Sequence, residues 1–228
     1  MKLSISTTHR ETALGCIYLL FSLFCLSDLT VITGNLLGTS LSLAVVNILY
    51  FVINFICVTA IFHRFLWRSL KAAGEKPWLC LRSAALGFGF YYLASLLISF
   101  IILKIKPDFS NINDAFITDM AQEHTRLISF CTVFLAPVVE ETLYRGLIFQ
   151  QLQKKSRLAA YCVSVSVFAG IHIMNYRGRF DWMTLLLCFV QYLPAGIAFA
   201  WAYEKSDTIF TPILMHISIN QIGIAALR

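Results

Sequence analysis

The chain has 228 residues, of which 58% are hydrophobic and only 13% are charged, and its formal net charge is +6. Soluble domains carry about 25% charged residues, so this composition excludes an ordinary soluble domain and indicates an integral membrane protein in a lipid bilayer. The positive charge does not predict a nucleic-acid partner, because the basic residues lie in short segments between apolar runs, where membrane proteins place them.

Seven apolar stretches are candidates for membrane-spanning helices, each of which needs about 20 mostly apolar residues. The sequence therefore predicts an all-α, polytopic transmembrane helical bundle of about seven spans, within a range of six to eight. A chain of this length leaves no room for a second sizeable domain, so 1–228 is predicted to form a single integral membrane domain. In chain order the predicted spans are 12–33, 41–62, 83–103, 127–152, 158–176, 182–203 and 208–227.

The charges between these spans predict an orientation. Segments 64–76 and 154–157 are both basic, and both lie on the cytoplasmic side if the N-terminus is cytoplasmic. The acidic connection 104–124 then lies outside, as a lid or a simple link, although Arg177 and Arg179 fall on the same outer side and weigh against this orientation. We expect a multi-pass protein of the cell membrane with a cytoplasmic N-terminus.

The fourth predicted span contains three charged residues, Glu140, Glu141 and Arg145, within the sequence APVVEETLYRG. A charged side chain at the centre of a spanning helix costs about 2.5–3.5 kcal/mol, so these residues should face the bundle interior. Residues four apart share a helix face, which predicts that Glu141 pairs with Arg145, either for function or only to hold helices together. Glu140 lies about 100° around the helix, on the face of Tyr144, with no obvious ionic partner.

Two further polar clusters lie inside later spans. His172 ends the sequence FAGIH, and His216 and Asn220 stand four residues apart in HISIN, on one helix face. Taken alone, His172 would be read as a core histidine and the His216–Asn220 pair as interhelical hydrogen bonding. Together with Glu140 they predict one interior pocket, and ionisable residues inside a membrane are by default a functional-site hypothesis.

These three clusters resemble the CPBP family, which includes CAAX prenyl proteases of the Rce1 type and the bacterial Abi proteins related to bacteriocin processing and self-immunity. The family pattern is a double glutamate with a following arginine, then Phe-x-x-x-His, then His-x-x-x-Asn. In this sequence the resemblance covers 127–227, the expected catalytic core, and the first hundred residues match only as generic spans. The motifs read Glu140-Glu141-x-x-x-Arg145, Phe168-x-x-x-His172 and His216-x-x-x-Asn220.

The resemblance implies a helical intramembrane endopeptidase that cuts a membrane-anchored protein or peptide, which need not be prenylated. It implies that Glu140 activates a water molecule that His172 helps to hold. It also implies that His216 and Asn220 stabilise the oxyanion, while Arg145 holds Glu141. The residue chemistry agrees, because amide hydrolysis needs a base and donors for the developing negative charge.

Three alternatives remain open at this stage. No cofactor is expected, but a divalent metal such as zinc could be held by Glu140, His172 and His216, although no His-Glu-x-x-His motif is present. The chain could be a non-catalytic immunity or scaffold protein that binds a partner. A proton-coupled transporter is disfavoured, because the sequence has no duplicated halves. The sequence does not predict an oligomeric state.

Overall fold

The computed structural model describes residues 3–36, 41–174 and 176–226. These residues are almost entirely helical, and an isolated bridge between Arg177 and Phe180 is the one β-type pairing among them. The predicted all-α class is therefore confirmed.

The helices follow one another with short connections. Two π-helical segments, Cys131–Leu135 and Thr142–Phe149, flank α6, so that Arg126–Gln153 forms one continuous helical span. The α-helices are α1 His9–Phe24, α2 Leu26–Leu36, α3 Leu43–Glu75, α4 Pro77–Ile105, α5 Ile112–Phe130, α6 Ala136–Glu141, α7 Gln150–Gln153, α8 Arg157–Met174, α9 Trp182–Ser206 and α10 Phe210–Ala226.

By length and composition, five helical segments in the described part of the chain can cross a membrane, namely α3, α4, the 126–153 span, α8 and α9. The first predicted span corresponds instead to α1 and the start of α2, which meet at a bend of 61° and would make a sixth span if they cross together. The last predicted span is α10, whose 17 residues are short for a bilayer core of about 30 Å. Each of the seven predicted apolar runs thus contains a helix, but fewer of these helices are long and straight enough to span.

Two segments predicted as connections are in fact helical. Helix α3 continues through the basic residues to Glu75, with a kink at Phe62, and ends where Pro77 begins α4. The charged residues of this stretch are good helix formers, so the chain leaves the apolar layer without leaving the helix. The acidic 104–124 connection contains the start of α5, capped by the side chain of Asn111 and kinked at His124.

The 126–153 span and α9 are the most buried spans, with 61% and 56% of their apolar windows buried against 28% or less for the other three. Helix α9 packs against α4, α8 and α10, and the 126–153 span packs against α3, α8 and α10. The span that carries the charged motif therefore lies inside the bundle, where the surrounding helices shield it from lipid.

Polar contacts close the end of the bundle at which α9 finishes. The segment before α1 is tied there, because the backbone N–H of Ser4 donates to Oδ1 of Asp207 at 2.8 Å and that of Thr7 donates to Oε1 of Gln150 at 2.8 Å. Ser4 Oγ also donates to Oδ2 of Asp207. Asp207 adopts a left-handed conformation with φ 57° that ends α9 and turns its carboxylate to this segment.

A second polar cluster at the same end centres on Glu204, a buried carboxylate near the end of α9. Arg157 donates to both of its oxygens at 2.7 and 2.8 Å, and Tyr161 and Gln153 donate at 2.9 and 3.0 Å. The cluster therefore joins α8, α9 and the end of the 126–153 span.

Candidate functional site

The two adjacent glutamates lie at the end of α6, between the two π-helical segments. The backbone N–H of Ala136 bonds to the carbonyl of Cys131, five residues earlier, and Pro137 in the first turn of α6 has no N–H to donate. π-helical turns are rare and occur frequently at functional sites, because the extra residue changes the direction of the side chains that follow. The local backbone thus sets the directions in which Glu140 and Glu141 leave the helix.

Glu141, Arg145 and His216 form a buried hydrogen-bonded group. Arg145 Nη1 lies 3.1 Å from Oε1 of Glu141, and both side chains are fully buried. His216 Nδ1 lies 2.9 Å from the same oxygen, which links α10 to the 126–153 span. The predicted contact between Glu141 and Arg145 is present, and His216 joins it.

The Arg145 guanidinium is enclosed by aromatic rings and by the backbone of α9. Its Nη2 donates to the carbonyl of Gly196 at 3.1 Å, and its Cζ lies 4.5 Å from the ring centroid of Phe168 and 5.3 Å from that of Phe199. A Cβ atom at Gly196 would lie 2.9 Å from Val165, so glycine allows α9 to approach α8 closely at this level. The fixed carbonyl and the two ring faces compensate for part of the cost of burying the cation.

Glu140 and His172 face each other across a short gap. His172 Nε2 lies 4.0 Å from Oε2 of Glu140, and the side chains are 15% and 20% exposed. His172 Nδ1 lies 2.8 Å from the Phe168 carbonyl, which can only accept, so in the neutral ring the proton is on Nδ1 and Nε2 is an acceptor. Oε2 of Glu140 has no hydrogen-bond partner within the described part of the protein.

Asn220 and His216 use different partners. The Asn220 side-chain amide donates to the carbonyl of Thr132 at 2.8 Å, whereas His216 bonds to Glu141 and stacks on Phe199 with ring centroids 4.6 Å apart. Both residues of α10 therefore bond to the 126–153 span, Asn220 at the π-helical segment before α6 and His216 at the last residue of α6.

The ring of Phe168 brings the three sequence motifs together. Its centroid lies 4.8 Å from that of His172 and 6.0 Å from that of His216, and it carries the Arg145 guanidinium on its face. Phe168 is 2% exposed. The predicted single interior pocket is thus a cluster packed around one buried phenylalanine.

Sequence reasoning did not identify Tyr192, whose ring stacks on His172 with centroids 4.1 Å apart and an angle of 26°. The available signal was the polar pair Gln191 and Tyr192 inside the apolar run of α9. Polar residues within a span deserve the same question whether or not they carry a charge.

The candidate metal ligands do not form a three-ligand cluster. Glu140 and His172 are neighbours, and His216 bonds to Glu141 through Nδ1. Among the side chains that the structure describes, no group of three or more His, Cys, Asp or Glu is suitably placed for a metal ion.

Comparison with known proteins finds a family model whose match includes all three motifs. Residues 122–222 match the family model described as type II CAAX prenyl endopeptidase Rce1-like. The UPF0177 protein YxdF of Lactococcus lactis subsp. lactis (strain IL1403) is 26% identical over 145 residues, which cover 63% of this chain and 75% of the relative. No solved structure matches the chain significantly. The resemblance predicted from the motifs is confirmed, and the long apolar helices agree with an integral membrane protein.

Proposed function

Since residues 122–222 are Rce1-like, we propose that the protein is an intramembrane endopeptidase that hydrolyses a peptide bond of a membrane-anchored protein or peptide. The observation that carries this proposal is the pair of Glu140 and His172. An otherwise unpartnered carboxylate oxygen lies 4.0 Å from an imidazole nitrogen inside an apolar bundle. The family resemblance implies the same two residues, and their geometry supports that assignment.

The 4.0 Å separation suits a shared water molecule. A water oxygen at about 2.8 Å from each atom can donate one hydrogen to Glu140 and the other to Nε2 of His172. Its lone pair is then free to attack a peptide carbonyl carbon. Glu140 accepts the proton as the new C–O bond forms and returns it to the leaving amine when the C–N bond breaks.

His216 and Asn220 are the proposed oxyanion donors. With a proton on each ring nitrogen, His216 keeps its Nδ1–H bond to Glu141 and presents Nε2–H as a second donor. Asn220 has a second N–H beyond the one that Thr132 accepts. Donors held in advance by their own partners are the kind that stabilise developing charge well.

We further propose that this reaction needs no metal or other cofactor. In support, the described residues contain no group of three or more His, Cys, Asp or Glu side chains suitably placed for a metal ion, whereas a zinc site takes at least three protein ligands. The proposed location is the cell membrane, with several passes and a cytoplasmic N-terminus.

The test is cleavage of a fluorogenic peptide library by the purified protein in detergent, with and without a chelator. Glu140→Gln should lower the rate by about 10²-fold or more, and His216→Ala should also lower it strongly. Glu75→Gln, at the exposed end of α3, is the matched control and should cleave like the wild type. Cleavage that survives in Glu140→Gln would overturn the mechanism, and cleavage lost in chelator would favour the metal. A wild type that cleaves nothing would favour a non-catalytic partner-binding role.

A further inference from the structure

The imidazole of His172 is held between two aromatic rings and one backbone carbonyl. Phe168 contacts it from its own helix, with ring centroids 4.8 Å apart, and supplies the carbonyl that accepts from Nδ1. Tyr192 of α9 stacks nearly parallel to it at 4.1 Å. The backbone contact fixes one nitrogen, and the Tyr192 ring limits rotation of the imidazole plane.

The hydroxyl group of Tyr192 is in turn held by the first turn of α5. It donates to Oδ1 of Asn111 at 3.3 Å and lies 3.5 Å from Oδ1 of Asp114. Asn111 also donates from Nδ2 to Oε1 of Gln191 at 2.7 Å. The residue that caps α5 therefore contacts two consecutive side chains of α9 beside His172.

A second contact fixes the same turn of α5 to the chain that follows His172. The ring of Tyr176 stacks on Phe116 with centroids 5.0 Å apart, and its hydroxyl donates to Oδ1 of Asn113 at 3.3 Å. The start of α5 is thus attached both to α9 and to the segment after α8. Its contact on α9 is thus with the ring that stacks on His172.

We propose that Tyr192 is a positioning residue, which the first turn of α5 holds against His172 so that Nε2 of His172 stays directed at Glu140. The effect of Tyr192 on catalysis rests on the proposed endopeptidase function, whereas its effect on the orientation of the His172 ring does not. The Tyr192 ring makes the stack on His172, and the Tyr192 hydroxyl makes the contact with α5. Two substitutions therefore distinguish the two contacts. Tyr192→Phe keeps the stack, and Tyr192→Leu removes it.

The first readout is the tautomer of His172, observed by ¹⁵N NMR of histidine-labelled protein in detergent at a pH where the ring is neutral. The His172 signals are assigned by their absence in a His172→Gln variant. The wild type and Tyr192→Phe should show well-separated signals for a protonated Nδ1 and an unprotonated Nε2. In Tyr192→Leu the two signals should converge, because the ring is free to exchange tautomers. The control is Tyr92→Leu, the same change on a ring of α4 that is 37% exposed, and it should keep the wild-type pattern.

The second readout is peptide cleavage. Tyr192→Leu should lower kcat by about tenfold with little change in KM, because a misplaced group slows chemistry more than it weakens binding. Tyr192→Phe should restore most of kcat. Unchanged His172 signals in Tyr192→Leu would overturn the proposal, and so would an equal convergence in Tyr92→Leu. If the wild type cleaves no peptide, the endopeptidase function fails while the NMR result still decides the role of Tyr192.

Discussion

Nδ1 of His216 and Nη1 of Arg145 approach the same oxygen of Glu141, at 2.9 and 3.1 Å, in a place where Glu141 and Arg145 are fully buried. One carboxylate oxygen thus joins α10 to the 126–153 span. The second oxygen, Oε2, has no hydrogen-bond partner within the described residues. A buried ion pair of this kind is costly to break from one side only.

We therefore expect Glu141→Gln to destabilise the protein by about 3–5 kcal/mol, because it removes the charged partner to which the buried Arg145 cation is bonded. The double variant Glu141→Gln/Arg145→Met should unfold at a higher temperature than Glu141→Gln alone, since it removes the stranded charge as well. Thermal unfolding of the two variants in the same detergent measures this. A double variant less stable than the single one would show that the pair does not act as a unit.

Phe168 should be more important than its place in the Phe-x-x-x-His pattern suggests. The ring contacts Arg145, His172 and His216, and it is nearly fully buried. Phe168→Ala should cost about 3–5 kcal/mol in stability, and Phe168→Leu less, with loss of cleavage in both. Phe134→Leu, at a ring that is 44% exposed, is the control. Wild-type cleavage by a folded Phe168→Leu would argue against a role in aligning the motifs.

Asn220 should affect catalysis more than stability. Its bond to the Thr132 carbonyl is one hydrogen bond, with a net contribution of about 0.5–1.5 kcal/mol. Loss of an oxyanion donor, in contrast, lowers kcat by about 10²–10³-fold. Asn220→Ala should therefore lose most of its cleavage rate with a small fall in unfolding temperature. The cleavage rate and the unfolding temperature of this variant are both measured. If the cleavage rate falls only in proportion to the fraction of folded protein, Asn220 has a structural role.

Substitutions in the Glu204 cluster should affect stability more than catalysis. Glu204 bonds to Arg157 at the start of α8, whereas His172 lies fifteen residues further along α8, about 22 Å away. Glu204→Gln should lower the unfolding temperature, because Arg157 loses its partner. At temperatures where the protein remains folded, kcat/KM should stay at the wild-type value. A strong loss of kcat in the folded variant would mean that this end of the bundle is coupled to the site.

Asp181, which caps α9, predicts a pH dependence of stability. Hydrogen bonds from the Thr184 hydroxyl and backbone, with a smaller effect of Lys106, lower the pKa of Asp181 from 3.8 to about 2. A lowered pKa stabilises the folded state above pH 3.8, and this contribution disappears as the pH falls towards 2. The unfolding temperature of the wild type should exceed that of Asp181→Asn at pH 7 and 5, and the difference should shrink between pH 4 and 2. A difference that stays constant down to pH 2 would contradict this role of Asp181.

The sequence predicted the helical class, the burial of the charged span and the meeting of the motifs, because charges inside apolar helices can go nowhere else. It did not predict how the polar groups pair. His216 and Asn220 share a helix face, which suggested joint action, but Glu141 and the Thr132 carbonyl bind them separately. Thr132 lies in the π-helical segment before α6, Glu141 directly precedes the π-helical segment after it, and hydrophobic periodicity does not reveal such segments.

The predicted connections 64–76 and 104–124 contain helix, which the positions of the charged residues did not indicate. Charges mark where the chain leaves the apolar layer, and they do not mark where a helix ends. Helix α3 continues past Arg64 and Arg68, and α5 begins within the acidic segment once Asn111 supplies a cap. The role of Tyr192 was hidden because a tyrosine in an apolar run looks like ordinary core, and only its contacts with Asn111 and His172 distinguish it.

The hydrogen bond between Ser4 and Asp207 also has a consequence for folding during synthesis. The two residues are 203 positions apart, so at a synthesis rate of about 5–20 residues per second Ser4 leaves the ribosome roughly 10–40 s before its partner exists. Throughout that time the backbone N–H of Ser4 has no Asp207 carboxylate to which it can donate. The contacts between Ser4 and Asp207 at this end of the bundle therefore form late in biosynthesis, after α9 has been synthesised.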